Sequence, residues 1–295
     1  MKLLVTGQDG QVATSLLERG STVQGVEIVT AGRPRLDLLD VNSIQETIAA
    51  ERPDIVVSAA AYTAVDQAED DAEAAFAINA AGAGAVAAAA ARIGAPIIHL
   101  STDYVFPGDG DQPYTEEDVT APASVYGRSK LAGEDAVAAA NPRHVILRTA
   151  WVYSPFGKNF LRTMLRLAKD RDELRVVADQ WGNPTSALDI ADGILAVAGK
   201  LSRGGEAHGV FHMTAAGSTN WSGFAEHILK VSRDAGGPFA RVQGIATSEY
   251  PTRAVRPANS RLSCEKLRSA YGVELPAWQG STAQTVHRLL AAGEF

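Results

Sequence analysis

The chain has a single cysteine, Cys264, among 295 residues. One thiol cannot build a disulfide framework, and it excludes zinc or iron–sulfur sites that need several cysteines. Basic residues are in short supply as well: 27 Lys and Arg stand against 34 Asp and Glu, a formal charge of −7. A mild acidic excess argues against non-specific nucleic-acid binding, which wants a strongly basic face. Long hydrophobic runs are missing too. The N-terminus reads Met-Lys-Leu-Leu-Val-Thr-Gly, too short an apolar run for a signal peptide. The weakly polar stretch from Ala80 to Ala91 is alanine and glycine, whereas a membrane span needs ~18 strongly apolar residues. Among the six histidines, His208 and His212 form the one close pair. They flank an apolar strand run, where an i, i+4 spacing is too long to chelate easily, so no metal site is expected. These absences describe a soluble, cytoplasmic chain with no nucleic-acid or membrane partner, and its length suggests about two parts at ~150 residues each.

What is present is an alternation of elements. Short, unbroken apolar runs at 2–6, 54–57, 96–100 and 144–148, with a β-branched run at 26–29, read as buried strands. Helical stretches fall between them: from Val12, over 41–51, over 70–93 and over 123–140. Alanine, the best helix former, is abundant in these stretches. Continuous apolar strands separated by helices predict a doubly wound parallel α/β sheet of the Rossmann type. Beyond residue 150 the alternation loosens into helices over 159–169, 189–200 and 221–235, a strand over 210–213, and irregular Pro-containing segments at 250–258 and 276. The expected division is therefore a dinucleotide-binding part over 1–150, rejoined by later segments, and a smaller, mixed α/β substrate lobe over 151–295.

Thr6-Gly7-Gln8-Asp9-Gly10-Gln11-Val12-Ala13 follows the first strand and opens a helix. Glycines there permit a tight turn and the close approach of a pyrophosphate, whose charge meets the helix N-terminus. The spacing is Gly-x-x-Gly-x-x-Ala, with Ala13 where a third glycine would allow close helix–strand packing. A dinucleotide site is predicted over a purely structural turn because of this placement. Enzymes that prefer NAD usually carry an acid at the end of the second strand. Here that stretch reads Val29-Thr30-Ala31-Gly32-Arg33, with no acid before Asp37. Arg33 is available for a 2′-phosphate, which points to NADPH, with NADH as the alternative.

Tyr126-Gly-Arg-Ser-Lys130 is the most informative spacing. On a helix, i and i+4 share a face, so phenol and ammonium converge on one small volume. A neighbouring cation stabilises phenolate and lowers the phenol pKa toward useful acid–base range. Seven tyrosines and seven lysines in 295 residues give about 0.17 such pairs by chance, so the location after a strand of a dinucleotide fold carries the inference. That strand, taken as the fifth, ends in Ser101-Thr102-Asp103 at the carboxyl edge, where open α/β sheets bind ligands.

Together these blocks resemble the extended short-chain dehydrogenase/reductase superfamily. Further stretches narrow the resemblance to its dTDP-4-dehydrorhamnose reductase family: Ser58–Asp66, Ser101–Phe106, Val125–Glu134, Arg148–Tyr153, Gly157–Phe160, Asp179–Thr185 and Arg256–Leu262. They run in order along nearly the whole chain. The resemblance implies NADPH-dependent reduction of the 4-keto group of a dTDP-6-deoxy-hexulose to dTDP-L-rhamnose. It implies Tyr126 as proton donor, Lys130 on the nicotinamide ribose, Thr102 on the reacting oxygen, and Asp103 tuning the site. Gly10, Gln11 and Val12, with Gly7, would face the pyrophosphate. Asp37 and Leu38 would border the adenine, and Ala59, Ala60 and Ala61 the far side of the cofactor. Tyr104 and Trp151 match positions that contact the sugar nucleotide. Trp151 offers a flat face for a deoxysugar or is simply buried in the core. Asn159 and Arg256 could donate to the substrate diphosphate, Arg256 alternatively standing in a structural ion pair.

One departure concerns assembly. Some related enzymes bridge a dimer through a divalent ion held by acids on the first helix. Here that helix reads Ala13-Thr14-Ser15-Leu16, so a metal-bridged dimer is not expected, and monomer and homodimer stay open. Two other functions fit the same fold. One is a nucleotide-sugar epimerase or dehydratase, although dehydratases typically place an acid pair where this chain has Asp103-Tyr104. The other is a non-catalytic regulatory subunit, against which the retained catalytic positions speak.

Overall fold

A computed structural model of the chain describes residues 1–205 and 207–295. Its centre is a six-stranded parallel sheet. The strands are β1 (Lys2–Thr6), β2 (Glu27–Ala31), β3 (Ile55–Ser58), β4 (Ile97–Thr102), β5 (His144–Thr149) and a late strand, Gly209–His212. Their spatial order is β2-β1-β3-β4-β5 followed by the late strand. The direction of winding changes between β1 and β3, so a crevice opens there at the carboxyl edge. The Rossmann-type sheet thus matches the fold class read from the sequence. The strand ending in Ser101-Thr102 is the fourth, not the fifth, because residues 59–96 contain only helices and connections.

Alternation along the strands explains why both faces are covered. Leu3 and Val5 point into one core with Leu16 of helix α1 (Gln11–Gly20) and with Ile190, Ile194 and Val197 of the helix Ala187–Leu201. Leu4, Val56 and Ile97 point the other way. There they meet Ile44 and Ile48 of α2 (Val41–Glu51), Val86 of the helix Ala72–Arg92, and Val137 of the helix Val125–Ala140. A third core, centred on Tyr153, Leu165, Phe224 and Trp278, packs together elements from the second half of the chain.

After the short helix α3 (Val65–Ala68), the alanine-rich segment becomes α4 (Ala72–Arg92), with π geometry over Ala77–Gly82. Of the described residues, α4 alone is long and apolar enough to cross a membrane by length and composition. In this fold it packs on the sheet and on α5 (Val125–Ala140). The π turn brings Asn79 inward. Its side chain accepts from Tyr62 N at 2.8 Å and donates to Ser129 Oγ at 2.9 Å, joining the loop after β3 to α5. Such insertions often mark functional sites.

In the second half, α6 (Phe160–Leu167), α7 (Ala187–Leu201) and α8 (Trp221–Asp234) fall within or close to the expected helices. Asn220 caps α8 by accepting from Gly223 N at 2.8 Å. Two helices escaped the sequence reading: α9 (Glu265–Tyr271) and α10 (Trp278–Ala292). Their cap positions are Cys264 and Ala277, neither of which caps with its side chain. The start signals are therefore missing.

α5 can pack this tightly only because it carries glycine at the contact. A Cβ at Gly133 would stand 2.1 Å from the Asn79 carbonyl oxygen. Gly133→Ala should therefore push α5 off the π turn and destabilise the protein by about 2 kcal/mol, read as a lower urea midpoint at unchanged slope.

Candidate functional site

A cleft of about 630 Å³ runs along the carboxyl edge of the sheet. Its floor is the loop after β1. Gly7 has φ +96°, a region that disfavours side chains. Gly10 stands at the N-cap of α1 with no atom within 4 Å of where a Cβ would lie. The first turn of α1 has no acidic residue. Gly7, Gly10, Gln11 and Val12 all line the cleft, as do Ala59, Ala60 and Ala61 opposite. Thr6 joins the two sides, its Oγ1 accepting from the backbone N–H groups of Ala59 and Ala60 at 3.0 Å each.

A second hollow of about 390 Å³ shares Gly7, Ala60 and Ala61 with the first. Arg33, Asp37 and Leu38 line it. Arg33 is exposed, and Asp37 Oδ1 accepts from Leu39 N at 3.0 Å. The two hollows together place a glycine turn, a helix N-terminus and a free-standing guanidinium along one path, which suits an extended phosphorylated nucleotide.

At the other end of the cleft stand Thr102, Asp103, Tyr104, Tyr126, Lys130 and Trp151. Ser124 starts α5 by accepting from Gly127 N at 3.1 Å, which sets Tyr126 at the first turn. Gly127 allows that turn to press on the Tyr104 carbonyl, since a Cβ would lie 2.3 Å from its oxygen. Tyr104 and Tyr126 meet edge to face, with ring centroids 5.7 Å apart. Thr102 Oγ1 donates to Asp103 Oδ1 at 2.8 Å and accepts from Tyr104 N at 3.2 Å.

The electrostatics of these groups follow from burial. The Tyr126 phenol is pushed well above its ordinary range by desolvation and by the Asp103 carboxylate, against a hydrogen bond with Thr102. Desolvation raises Asp103 to about 6, opposed by hydrogen bonds with Thr102 and Ser260. Lys130 is lowered to about 8 by burial, with Glu134 pulling the other way. The Tyr126–Lys130 spacing predicts an ammonium that lowers the phenol pKa. In the structure the Lys130 ammonium donates to the Leu100 carbonyl at 2.6 Å and faces His99 Nε2 at 3.4 Å, and burial dominates the phenol.

Trp151 is half-buried and lines the cleft. Its backbone has φ +48°, uncommon for a large residue. Its indole stacks on Trp221 at 3.5 Å and donates to Ser260 Oγ at 3.1 Å. Arg256 donates to Tyr104 Oη at 3.2 Å and to Asp66 Oδ2 at 2.5 Å, the structural ion pair left open by the sequence. Asn159 does not line the cleft. It caps α6, accepting from Arg162 N at 3.1 Å, and donates to Gln11 Oε1 at 3.0 Å and to the Ser154 carbonyl at 2.9 Å.

Trp221, Lys158 and Ser260 are at or beside the cleft without having been singled out. Lys158 and Ser260 lie inside stretches that signalled the family. Trp221 had no local signal beyond starting a helix. No group of three or more His, Cys, Asp or Glu side chains among the described residues could hold a metal ion.

Comparison with known proteins agrees along the whole chain. Residues 1–291 match the family model described as the RmlD substrate binding domain. The dTDP-4-dehydrorhamnose reductase of Sinorhizobium fredii is 50% identical over 100% of this chain and 99% of its own length. The crystal structure of a dTDP-4-dehydrorhamnose reductase from Clostridium acetobutylicum superposes with a TM-score of 0.91 at 37% identity, covering 98% of this chain and 100% of that one. The enzyme of that name from Bacillus anthracis, solved in complex with NADP, gives 0.89 at 34% identity, covering 97% and 99%.

The raised Asp103 has a consequence for stability. Its folded pKa of about 6 exceeds the ordinary 3.8, so folding binds a proton between those values and stability falls as pH rises through them. Asp103→Asn keeps an acceptor for Thr102 but removes the charge. It should stabilise the protein by about 2 to 3 kcal/mol at pH 8, with the gain vanishing near pH 4, as measured by denaturant unfolding at the two pH values.

Proposed function

The chain belongs to the dTDP-4-dehydrorhamnose reductase family, and from that membership and the geometry of the cleft we propose that it reduces the 4-keto group of dTDP-4-dehydro-L-rhamnose to dTDP-L-rhamnose with NADPH. The observation that carries this reading is the convergence of the Tyr126 and Thr102 hydroxyls, with buried Lys130, at the end of a cleft that begins at a glycine turn.

A bound nicotinamide cofactor supplies the hydride. The residues fit such a group: Gly10 leaves its approach to the α1 N-terminus open, and Arg33 lines the hollow where a 2′-phosphate would lie. NADPH is therefore favoured over NADH. As the carbonyl carbon accepts the hydride, charge builds on its oxygen. Tyr126 would provide a donor where that charge develops, and Thr102 would join it by turning its hydroxyl proton from Asp103 to the oxygen. Tyr126 passes its proton to this oxygen, and burial serves the role, since a phenol held protonated through the neutral range is in the state a donor needs. Lys130, buried one helix turn from Tyr126, would hold the nicotinamide ribose. Asp103 sets the local field on both hydroxyls.

The substrate lobe, mainly residues 151–295, contributes Trp151 as a flat face for the deoxysugar. Arg256 orients the Tyr104 hydroxyl toward it. Asn159 holds Gln11 rather than reaching into the cleft, so its part in binding is indirect. The nucleotide-sugar substrate is the sole partner this reading needs, whether the protein acts as monomer or homodimer, and a cytoplasmic location accompanies it.

Two variants test the reading, with oxidation of reduced cofactor followed by absorbance on the 4-keto substrate. Tyr126→Phe should leave NADPH binding nearly intact and lower turnover by at least ~10²-fold, the scale of lost general-acid catalysis. Near-normal turnover would remove Tyr126 from the proposed role. Arg33→Ala should weaken NADPH more than NADH, because only the former carries the 2′-phosphate. Equal losses would mean that Arg33 does not read that group.

A further inference from the structure

Beneath the reacting groups lies a charge pair that the reduction itself does not touch. Glu134 sits one turn beyond Lys130 on α5, and both are buried, with 3% exposure each. The Glu134 carboxylate accepts from Arg148 Nε at 2.9 Å and Nη2 at 2.7 Å. It also accepts from Ser101 Oγ at 2.5 Å. Arg148 on β5 and Ser101 on β4 are register partners. One carboxylate thus ties the helix carrying Tyr126 and Lys130 to both strands, at residues that directly precede Thr102 and Thr149 at the cleft. No other ion pair among the described residues has both side chains this buried.

The charge count around this pair is unequal. Arg148 pairs with Glu134 directly, while Lys130, four residues back on the same helix, is bonded to the Leu100 carbonyl and feels Glu134 only through its charge. Of the other titratable groups packed nearby, His99 on β4 is neutral, held well below its ordinary range by burial and by Lys130. His212, beyond Arg148 on the last strand, is likewise held down to about 3 by burial and by Arg148. Tyr126 is protonated, its phenol pushed up by burial and by the Asp103 carboxylate. Arg148 Nη1 has no hydrogen-bond partner among the described residues and the guanidinium lies over the Phe106 ring, 5.0 Å from its centroid. An arginine cannot relieve an uncompensated charge by releasing a proton, but a buried lysine can.

We propose that Glu134 and Arg148 are positioning residues for the reduction: their pair pins the Tyr126–Lys130 helix to the strands bearing Thr102 and Thr149, and the Glu134 carboxylate, one helix turn from Lys130, sets the charge around that ammonium. The effect on turnover rests on the reductase reading; the charge balance does not.

The pair makes opposite predictions for its two members. Glu134→Gln keeps an oxygen for Ser101 but removes the counter-charge, so Lys130 should lose its proton at lower pH. Arg148→Gln removes the cation that neutralises Glu134, so Lys130 should keep its proton to higher pH. The readout is the titration of Lys130 in full-length protein labelled with 13C at lysine Cε, its resonance assigned with Lys130→Met. The midpoint should fall by roughly one pH unit or more in Glu134→Gln and rise in Arg148→Gln, while the other lysines stay put. The alkaline limb of the turnover profile should move with it. If Glu134→Gln does not fold, the upward shift in Arg148→Gln still decides the matter. A midpoint that stays fixed, or moves the same way in every folded variant, would overturn the proposal. Opposite shifts in a protein without reductase turnover would support the charge balance and refute the reductase reading instead.

Discussion

Parallel pairing forces the carboxyl end of every strand to the same edge of the sheet, and the rest of the molecule is arranged around that constraint. β1, β3, β4 and β5 stop at Thr6, Ser58, Thr102 and Thr149, so four hydroxyl-bearing residues end side by side. Thr6 uses its hydroxyl to hold the loop after β3 against the loop after β1. Segments from the second half of the chain are fastened to the same edge. Ser154 and Asn159 donate to Gln11 Oε1, and Arg256 pairs with Asp66 of α3. A chain that leaves a parallel sheet must return through a crossover, and here each return passes over the edge where chemistry can be done.

Closeness at this edge has an energetic cost that is visible in the ionisable groups. Tyr104, Tyr126, Asp103 and Lys130 are all pushed toward their neutral forms, each chiefly by desolvation. Solvated side chains at these positions would not suffer this shift. The fold tolerates it because the surrounding contacts are over-determined: glycines at 127 and 133 let α5 approach, Ser124 caps it, and Asn79 braces it from α4. Local strain at Trp151 is held in the same way, by the Trp221 stack and the Ser260 hydrogen bond.

The parts legible in the sequence are those encoded over a few residues. The apolar runs of β1, β3, β4 and β5 need no partner to be recognised, and the glycine turn and the Tyr126–Lys130 spacing specify their own local geometry. What could not be read depends on distant partners. Asn159 looked like a free amide donor, yet its donors are used on Gln11, Ser154 and Phe156. The Trp151–Trp221 stack joins residues 70 positions apart by sequence number. The direction of the Tyr126 shift was equally invisible, because spacing reveals a nearby cation but not the depth of burial that outweighs it.

The same physics discriminates among the chemistries this fold can support. Elimination from a sugar needs a base that removes a carbon-bound proton, and a dehydratase places a second carboxylate beside the first for it. Here the residue after Asp103 is Tyr104, whose phenol is raised to about 12 by burial and which accepts a hydrogen bond from Arg256. At neutral pH it stays protonated and cannot serve as that base. Beside the Asp103 carboxylate, the groups at this end of the cleft are two protonated phenols, the Thr102 hydroxyl and an ammonium. Donors meet the needs of a carbonyl oxygen gaining charge. A regulatory protein on this fold would gain nothing from burying Asp103 and Lys130 at the expense of stability. Buried ionisable groups shifted in this way are common at catalytic sites, which is consistent with chemistry at this edge.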